Sequence, residues 1–442
     1  MHHLFEANFW ESKVGVLPVT GAVGFDNSKV SAAYKVMGNP KLILIWIKEG
    51  TMGRLNKGWC VIASLVISFA ISQTTAAQDT ITIGSIPGWT GPPSIAGTAG
   101  LIDGAFQDCV AITNEEGGIN GKKLRAITAD DQYKPDVALK VLDEVMAKEK
   151  PLCIFGSGTP AALAVAPVIR DRYKILYTST SFSAKLAFSG ASSMFVVGPT
   201  YGDQFAVALK YIAQVKKGAR VAFFYSKGPF GEDPLSYGRI MCQRLRLELV
   251  GEVAGDIKGG DHKTQIEELK SKNPDFVIMT GWVGPTNSAL VKQSHDLGLK
   301  SEFVLTLWGA NKSVVEELGP NGPKFLAVSP YAYWWMEDVP MIKKIREYTA
   351  KHHPEVTDRP LDYLVPFTAA KIFVECIRKA DSGGELNPDG LIKVLQSLKD
   401  LDTGGLTPPL TIKDNRFPVA RILKSNPEKG ILEPVSDWIK FY

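Results

Sequence analysis

Short apolar runs alternate with longer amphipathic stretches along the chain from residue 81 onward. Runs such as 81–86 and 152–156 have the length and composition of buried strands, whereas 135–148 repeats its apolar residues at helical spacing. In a first series, the pattern predicts strands at 81–86, 124–130, 152–156 and 174–180, with helices at 97–116, 135–148 and 161–172.

A second series begins after residue 199. Its predicted strands lie at 220–226, 251–257, 275–281, 302–308, 324–330, 410–412 and 419–423. Its predicted helices lie at 202–216, 231–250, 263–272, 286–297, 312–318, 339–351, 363–380 and 388–399. Strands separated by helices form parallel sheets with helices on both faces. The two series therefore predict an α/β protein with two doubly wound parallel-sheet lobes, whose ligand crevices lie at the carboxyl ends of the strands.

The pattern of an export signal lies within the first 77 residues, at residues 52–77. Residues 52–77 combine a basic start, an apolar run at 59–71 and small residues before Gln78, which predicts a cleavable signal peptide and a periplasmic protein. A buried helix or a membrane anchor are the alternatives. A signal peptide should begin a chain, so we interpret residues 1–51 as a spurious extension, with translation starting at Met52.

The amino-acid composition limits the kinds of binding partner that we expect. The chain is 45% hydrophobic and 22% charged, with a formal net charge of +4 that is spread without blocks. This balance gives no reason to expect binding to nucleic acid or to a membrane surface. Four cysteines follow the signal and none has CxxC spacing, so we expect buried single thiols at Cys109, Cys153, Cys242 and Cys376.

A glycine-containing loop follows the strand at 152–156. It reads GSGTPA from Gly156 to Ala161, which matches the G-x-G-x-x-A pattern of dinucleotide sites. A dinucleotide site requires an acidic residue at the end of the next strand, but here that strand ends in residues with hydroxyl side chains. A tight turn without a ligand is a second interpretation. The third is an anion site, in which Ser157, Gly158 and Thr159 present N–H and hydroxyl groups at a helix start.

The next strand end offers a second group of neutral donors for the same anion. These donors are Thr178, Ser179, Thr180 and Ser181. Aromatic residues follow five further strands, which favours an apolar ligand-facing surface. They are Trp89, Phe230, Trp282, Trp308 and Tyr333.

Catalytic and metal motifs are sparse. The sequence contains no HExxH, GxSxG or P-loop pattern. The pair His352-His353 ends a charged helix and is interpreted as solvated. Asp130 and Asp131 are adjacent on a strand, where neighbouring side chains point to opposite faces, so joint acid–base work is not expected. The sequence therefore predicts a binding protein without cofactor or metal, and not an enzyme.

The chain resembles a known family over residues 79–442. The stretches that carry the resemblance include ITIGSIPGWTGP at 81–92, NEEGGINGKKLRAITADD at 114–131 and RVAFFYSKGPFGED at 220–233. They are similar to the periplasmic solute-binding proteins of ABC transporters of the leucine/isoleucine/valine type. The resemblance implies a type I periplasmic-binding fold, with two lobes joined by three crossings. It also implies that the protein delivers a bound ligand to a membrane permease.

The resemblance also implies lobe boundaries and site roles. It implies a first lobe of 78–199 plus 327–405 and a second lobe of 200–326 plus 406–442. It implies that the loops at Gly156–Thr159 and Thr178–Ser181 grip a ligand carboxylate, while Phe230 and Trp282 line the pocket from the second lobe.

One departure from the family bears on the ligand. Amino-acid binders of this family hold the ligand ammonium with an acid on the loop that corresponds to TLWGAN, residues 306–311, which contains no acid here. A desolvated ammonium without a counter-charge is costly. We therefore expect a carboxylate with an aromatic or other hydrophobic body, near Trp282, Trp308 and Tyr333. The alternative ligands are branched-chain amino acids and amides. The alternative functions are a sensor domain that signals to a membrane receptor and an exported hydrolase.

Overall fold

The computed structural model describes residues 30–36, 43–48, 80–91 and 93–440. The chain divides into two compact units, residues 1–77 and 78–442. In the first unit, strands β1 (Val30–Val36) and β2 (Ile43–Lys48) pair antiparallel. The predicted signal peptide at 52–77 lies outside the described residues, as does most of 1–51.

The first sheet of the second unit has four parallel strands in the order β4-β3-β5-β6. These strands are β3 (Thr80–Ile86), β4 (Lys123–Thr128), β5 (Cys153–Gly156) and β6 (Leu176–Ser179). The helices between and after them are α1 (Pro93–Glu115), α2 (Pro135–Lys148), α3 (Thr159–Val168) and α4 (Ala184–Ala187).

The second sheet has the order β13-β12-β11-β10-β9-β7-β8, and β14 pairs with β12. Five of its strands are parallel, namely β7 (Arg220–Ser226), β8 (Glu248–Gly255), β9 (Phe276–Thr280), β10 (Glu302–Leu305) and β11 (Phe325–Ser329). Three are antiparallel to their partners, namely β12 (Val419–Asn426), β13 (Ile431–Pro434) and β14 (Ile439–Lys440). The intervening helices are α5 (Tyr201–Val215), α6 (Pro229–Glu232), α7 (Leu235–Leu245), α8 (Lys263–Lys272), α9 (Pro285–Asp296) and α10 (Lys312–Leu318).

Strand β7 explains why its sequence reads as one continuous apolar run. Val221 and Phe223 pack in the core cluster beneath α5 and α7, whereas Ala222 and Phe224 belong to the cluster on the opposite face. Both faces of the strand are buried, as is usual in parallel sheets covered by helices. The predicted doubly wound α/β class is confirmed.

After β11 the chain returns to the first sheet. Three helices follow there, α11 (Pro340–His352), α12 (Leu361–Ser382) and α13 (Pro388–Gln396). Helix α12 packs against α1 and β5. We call the first sheet with these helices the first lobe, and the second sheet with α5 to α10 the second lobe.

The crossings between the lobes run close together. The backbone N–H of Val196 donates to the carbonyl of Asn415 at 2.8 Å. The hydroxyl of Tyr331 donates to the carbonyl of Val197 at 2.7 Å. Segments from three distant parts of the chain therefore bond to one another where the sheets are joined.

Three details differ from the sequence-based expectations. The predicted helix at 231–250 is two helices, and α7 stops at Leu245 because Arg246 takes a left-handed conformation with φ of 56° before β8 begins. The predicted strand at 410–412 forms only an isolated bridge from Leu410 to Leu401. The lobe boundary expected at 326/327 falls inside β11, which pairs along its length with the second sheet; the full set of boundaries stays a prediction.

The thiols of Cys109, Cys153, Cys242 and Cys376 are buried and unpaired, as predicted. Within residues 80–91 and 93–440, no helix combines the length and hydropathy needed to cross a bilayer.

Candidate functional site

A narrow cavity lies at the carboxyl ends of strands from both sheets. Its empty volume is about 450 Å³, open solvent included. The first lobe contributes Gly88, Thr98, Ile102, Tyr133, Ser157, Gly158, Thr159, Thr180 and Asp362 to its lining. The second lobe contributes Tyr201, Phe230, Val283 and Trp308.

The two donor loops meet at the first-lobe side of this cavity. Ser157 and Gly158 follow β5, Gly158 caps α3 in an extended conformation, and Thr159 is the first residue of that helix. The hydroxyls of Thr159 and Ser181 lie 2.9 Å apart and are hydrogen-bonded. The free N–H groups of a helix start and several hydroxyls therefore converge on one wall, without any Lys or Arg among the lining residues.

Not every hydroxyl of the second loop reaches the cavity. Thr180 lines it, but Ser181, Ser179 and Thr178 do not. The Ser179 hydroxyl accepts from the N–H of Ser181 at 3.1 Å, and Ser181 accepts from the N–H of Ser183 at 3.2 Å. The Thr178 hydroxyl is buried without a hydrogen-bond partner among the described residues. None of these three side chains lines the cavity, and those of Ser179 and Ser181 stabilise the loop.

Tyr133 forms a wall that sequence reasoning missed. Its ring lies against Gly158 so closely that a Cβ on Gly158 would be 2.3 Å from Cε2 of Tyr133. Tyr133 is itself in the left-handed region, with φ of 56°. The glycine is therefore required by this contact, and the only sequence signal for Tyr133 was its place just after the Asp130-Asp131 pair.

The two adjacent aspartates are used separately, as expected from their positions. Asp130 accepts from the hydroxyl of Thr90 at 2.7 Å on the exposed side. Asp131 is buried, where it accepts from the Ser157 hydroxyl and, at 2.8 Å, from the N–H of Tyr133. Burial raises the pKa of Asp131 to about 6, against the lowering effect of those two hydrogen bonds.

The second-lobe side of the cavity is aromatic. The ring centroids of Tyr201 and Phe230 lie 5.2 Å apart. The indole N–H of Trp308 donates to the Tyr201 hydroxyl at 3.3 Å. The Phe182 ring packs edge-on against the indole, with ring centroids 5.8 Å apart. Phe230 and Trp308, both predicted from the sequence, thus line the cavity together with Tyr201, which was not predicted.

Three other aromatic candidates lie elsewhere. Trp282 packs on Phe224 with centroids 5.0 Å apart and donates its indole N–H to the carbonyl of Asp256 at 2.8 Å, so its neighbour Val283 lines the cavity instead. Tyr333 stacks on Trp335 at 4.5 Å and bonds to the carbonyl of Ala310. Trp89 is 39% exposed and is not among the lining residues.

An acid that sequence reasoning missed lines the cavity. Asp362, in the first turn of α12, is 5% exposed. Its Oδ2 accepts from Nδ2 of Asn311 at 2.5 Å, so this hydrogen bond joins the two lobes. Burial raises the pKa of Asp362 to about 6, while the bond from Asn311 lowers it. The sequence argument that the site lacks an acid is wrong, because the acid comes from α12 rather than from residues 306–311.

The residue after Asp362 fixes the start of this helix. The Tyr363 hydroxyl donates to Oδ2 of Asp108 in α1 at 2.8 Å, and Arg359 donates to the same oxygen at 3.0 Å. The Arg359 guanidinium also lies 4.3 Å from the centre of the Tyr363 ring. These buried groups tie the first turn of α12 to α1.

At the end of α11, His352 is exposed and His353 is half-buried, and each imidazole also has an acidic partner. His353 Nε2 lies 3.0 Å from Oδ1 of Asp108, and His352 Nε2 lies 3.0 Å from Oε1 of Glu115. No group of three or more metal-ligating side chains occurs within the part of the chain that the structure describes.

Comparisons with known proteins agree with this architecture. A family model described as periplasmic binding protein matches residues 80–421. The Leu/Ile/Val/Thr-binding protein of Salmonella typhimurium is 27% identical over 63% of this chain and 74% of its own length.

Solved structures show the same fold. A branched chain amino acid ABC transporter protein from Thermus thermophilus with bound valine superposes with a TM-score of 0.74 at 21% identity, covering 82% of this chain and 97% of that one. A solute binding protein of an ABC transporter from Rhodopseudomonas palustris BisB5, in complex with 3,4-dihydroxy benzoic acid, superposes with a TM-score of 0.69 at 19% identity. The match covers 82% of this chain and 98% of that one. The chain thus belongs to the periplasmic binding protein family.

Proposed function

We propose that this protein captures a small carboxylate with an aromatic or otherwise hydrophobic body between its lobes and delivers it to the permease of an ABC importer. The protein performs no reaction on the ligand. The observation that carries the proposal is the division of the cavity, in which neutral donors face aromatic rings across one narrow space.

The first-lobe wall suits a carboxylate. The N–H groups at the start of α3 carry a partial positive charge, and the hydroxyls of Thr159 and Thr180 can turn to donate, whereas the Ser157 hydroxyl already donates to Asp131. Hydrogen bonds to a charged acceptor contribute on the order of 1.5–3 kcal/mol each. Three such bonds supply much of the roughly 8 kcal/mol that micromolar affinity requires.

The second-lobe wall suits the remainder of the ligand. Phe230, Val283, Tyr201 and Trp308 offer apolar surface, and aromatic faces pack well against flat or branched groups. The two similar structures described above hold valine and 3,4-dihydroxybenzoic acid, both of which are carboxylic acids. That shared group supports a carboxylate without choosing between an aromatic and an aliphatic body.

Two further elements belong to the same proposal. We place the mature protein in the periplasm after cleavage of the signal at 52–77, with permease subunits as its partners. We also propose that the lobes close on the ligand by bending at the three neighbouring crossings, because ligand contacts come from both sides of the cavity.

A thermal-shift panel tests the ligand class. Benzoate, cinnamate, 3-phenylpropanoate, 4-methylpentanoate, leucine and valine are each compared with their matching alcohols or amides. A ligand at 100 times its Kd stabilises the folded state by about 2.7 kcal/mol, which raises Tm measurably. If no carboxylate raises Tm above its neutral counterpart, the proposal is wrong.

The variant Thr159→Val tests the donor wall. It removes the hydroxyl that bonds to Ser181 and keeps the side-chain shape. We expect the affinity for the best carboxylate of the panel to fall about 10- to 100-fold, the effect of losing one hydrogen bond to a charged acceptor. Thr264→Val, at an exposed position of α8, is the control and should leave affinity unchanged. Equal affinities for both variants would remove Thr159 from the binding site.

A further inference from the structure

Asp362 gives the cavity a buried carboxyl group that the proposed carboxylate ligand does not explain. We propose that Asp362 recognises a second polar group on the ligand, a hydrogen-bond donor that is either a hydroxyl or an ammonium. This inference rests on the proposed function, since it adds a requirement to the same carboxylate ligand. It makes Asp362 a specificity-determining residue of the site.

The hydrogen bonds of Asp362 leave room for such a donor. Asn311 is the only side chain of the described residues that bonds to it, through Oδ2. A carboxylate has two oxygens and about four acceptor positions. No Lys, Arg or His of the described residues forms an ion pair with Asp362, and none lines the cavity. A buried carboxyl group with so few partners is costly unless a bound molecule adds one.

The Asn311 side chain is itself incompletely satisfied. Its Oδ1 is buried and has no hydrogen-bond partner among the described residues. The Asn311–Asp362 pair therefore presents acceptors in excess of donors next to the cavity. A ligand group with several N–H or O–H bonds would correct that imbalance.

The charge balance of the cavity points the same way. An acid whose only polar group is its carboxylate would bring a negative charge beside Asp362, with no cationic side chain in the lining to offset the repulsion. A ligand that also carries a donor places that donor against the carboxyl group instead. Such a ligand should be preferred over an otherwise identical acid.

A purely mechanical role for Asp362 makes a different prediction. The Asn311–Asp362 hydrogen bond joins the two lobes, so it could act as a latch that stabilises the closed form. Loss of a latch would weaken every ligand by the same factor. Recognition of a donor would change the ratio of affinities between ligands, and that ratio is the measurement to make.

Two series of acids differ only in the donor. The aromatic series is 3-phenylpropanoate, phenyllactate, phenylalanine and 3-(4-hydroxyphenyl)propanoate; the aliphatic series is 4-methylpentanoate, 2-hydroxy-4-methylpentanoate and leucine. Calorimetry on the unmodified protein should show at least one donor-bearing acid binding about tenfold or more tightly than its parent acid. The hydroxy and amino members distinguish the two kinds of donor.

The variant Asp362→Asn should bring that ratio close to one while retaining the size of the side chain. Asp389→Asn, at an exposed position of α13, is the matched control and should leave the ratio unchanged. If Asp362→Asn does not fold, the ratios measured on the unmodified protein decide alone. Equal affinities within both series, or an unchanged ratio in the variant, overturn this inference and leave the carboxylate proposal standing. If no acid of either series or of the panel binds, the carboxylate proposal fails and this inference fails with it.

Discussion

The two walls of the cavity are built in opposite ways. On the first-lobe wall, polar atoms are paired with one another, Ser157 with Asp131 and Thr159 with Ser181. On the second-lobe wall, the rings of Tyr201 and Phe230 pack on each other, and the indole N–H of Trp308 donates to the Tyr201 hydroxyl. The donor wall is therefore set by directional bonds between loops, whereas the aromatic wall is continuous with the core of its lobe.

Replacement of the two tryptophans at neighbouring strand ends should sharpen this contrast most strongly. Trp282→Ala removes a core ring packed on Phe224 and should lower the free energy of unfolding by about 3–5 kcal/mol, with ligand affinity of the folded protein unchanged. Trp308→Ala should cost similar stability and also lower affinity tenfold or more, because this ring lines the cavity. Urea unfolding and calorimetry measure the two effects. Equal affinity losses in both variants would contradict the division between core and cavity aromatics.

Substitution of Gly158 should break the donor wall. A Cβ at this position would lie 2.3 Å from the Tyr133 ring, so Gly158→Ala forces the ring to shift into the cavity it lines. Overpacking of this kind costs about 1–3 kcal/mol, and we expect affinity to fall with stability. In Gly104→Ala, on α1, the new methyl has no atom within 4 Å and should be harmless or slightly stabilising. Normal affinity in Gly158→Ala would show that Tyr133 does not shape the site.

The pH dependence of the free energy of unfolding should reveal the ionisation of the buried Asp362 carboxyl group in the cavity. Burial raises the pKa of Asp362 from 3.8 to about 6, so the folded protein binds more protons than the unfolded chain between these values, and stability falls as pH rises from about 4 to about 6. Asp131 acts in the same direction, and burial keeps the cavity phenols of Tyr133 and Tyr201 neutral by raising the pKa of each.

Asp362→Asn should therefore be more stable than the unmodified protein at pH 7, by at most about 3 kcal/mol. The difference should vanish near pH 4, where the aspartate is neutral. Chemical unfolding at pH 4, 5, 6 and 7 provides the measurement. A variant that is less stable at every pH would mean that the hydrogen bond from Asn311 outweighs the cost of burial.

Much of the fold follows from local patterns. Apolar runs covered on both sides by helices predict the parallel strands, and the carboxyl ends of those strands predict the edge at which the cavity lies. The donors of the loop after β5 were recognisable because Ser157, Gly158 and Thr159 stand between a strand and a helix.

The aromatic candidates show where local reasoning stops. Trp282 and Trp308 both follow strands of the second sheet, yet only one lines the cavity. The difference depends on the Asp256 carbonyl and the Phe224 ring, which hold the Trp282 indole in the core. No pattern within a few residues of either tryptophan reveals those partners.

Asp362 is a similar case at longer range. Its partner Asn311 is 51 residues earlier in the chain and in the other lobe. An acidic residue in the first turn of a helix is common at exposed positions, where its charge interacts favourably with the helix dipole and stabilises the helix. Only the return of α12 to the first sheet brings this acid to the ligand cavity.

The anchoring of Tyr363 and Arg359 to Asp108 has a consequence for how binding is driven. Because α12 is held at its first turn by groups outside the cavity, the carboxyl group of Asp362 is in position before any guest arrives. The conformational entropy of placing it is lost during folding and not during capture. Cutting that anchor, for example with Tyr363→Phe, should therefore weaken discrimination between guests through a less favourable entropy of association, even though Tyr363 itself never touches them.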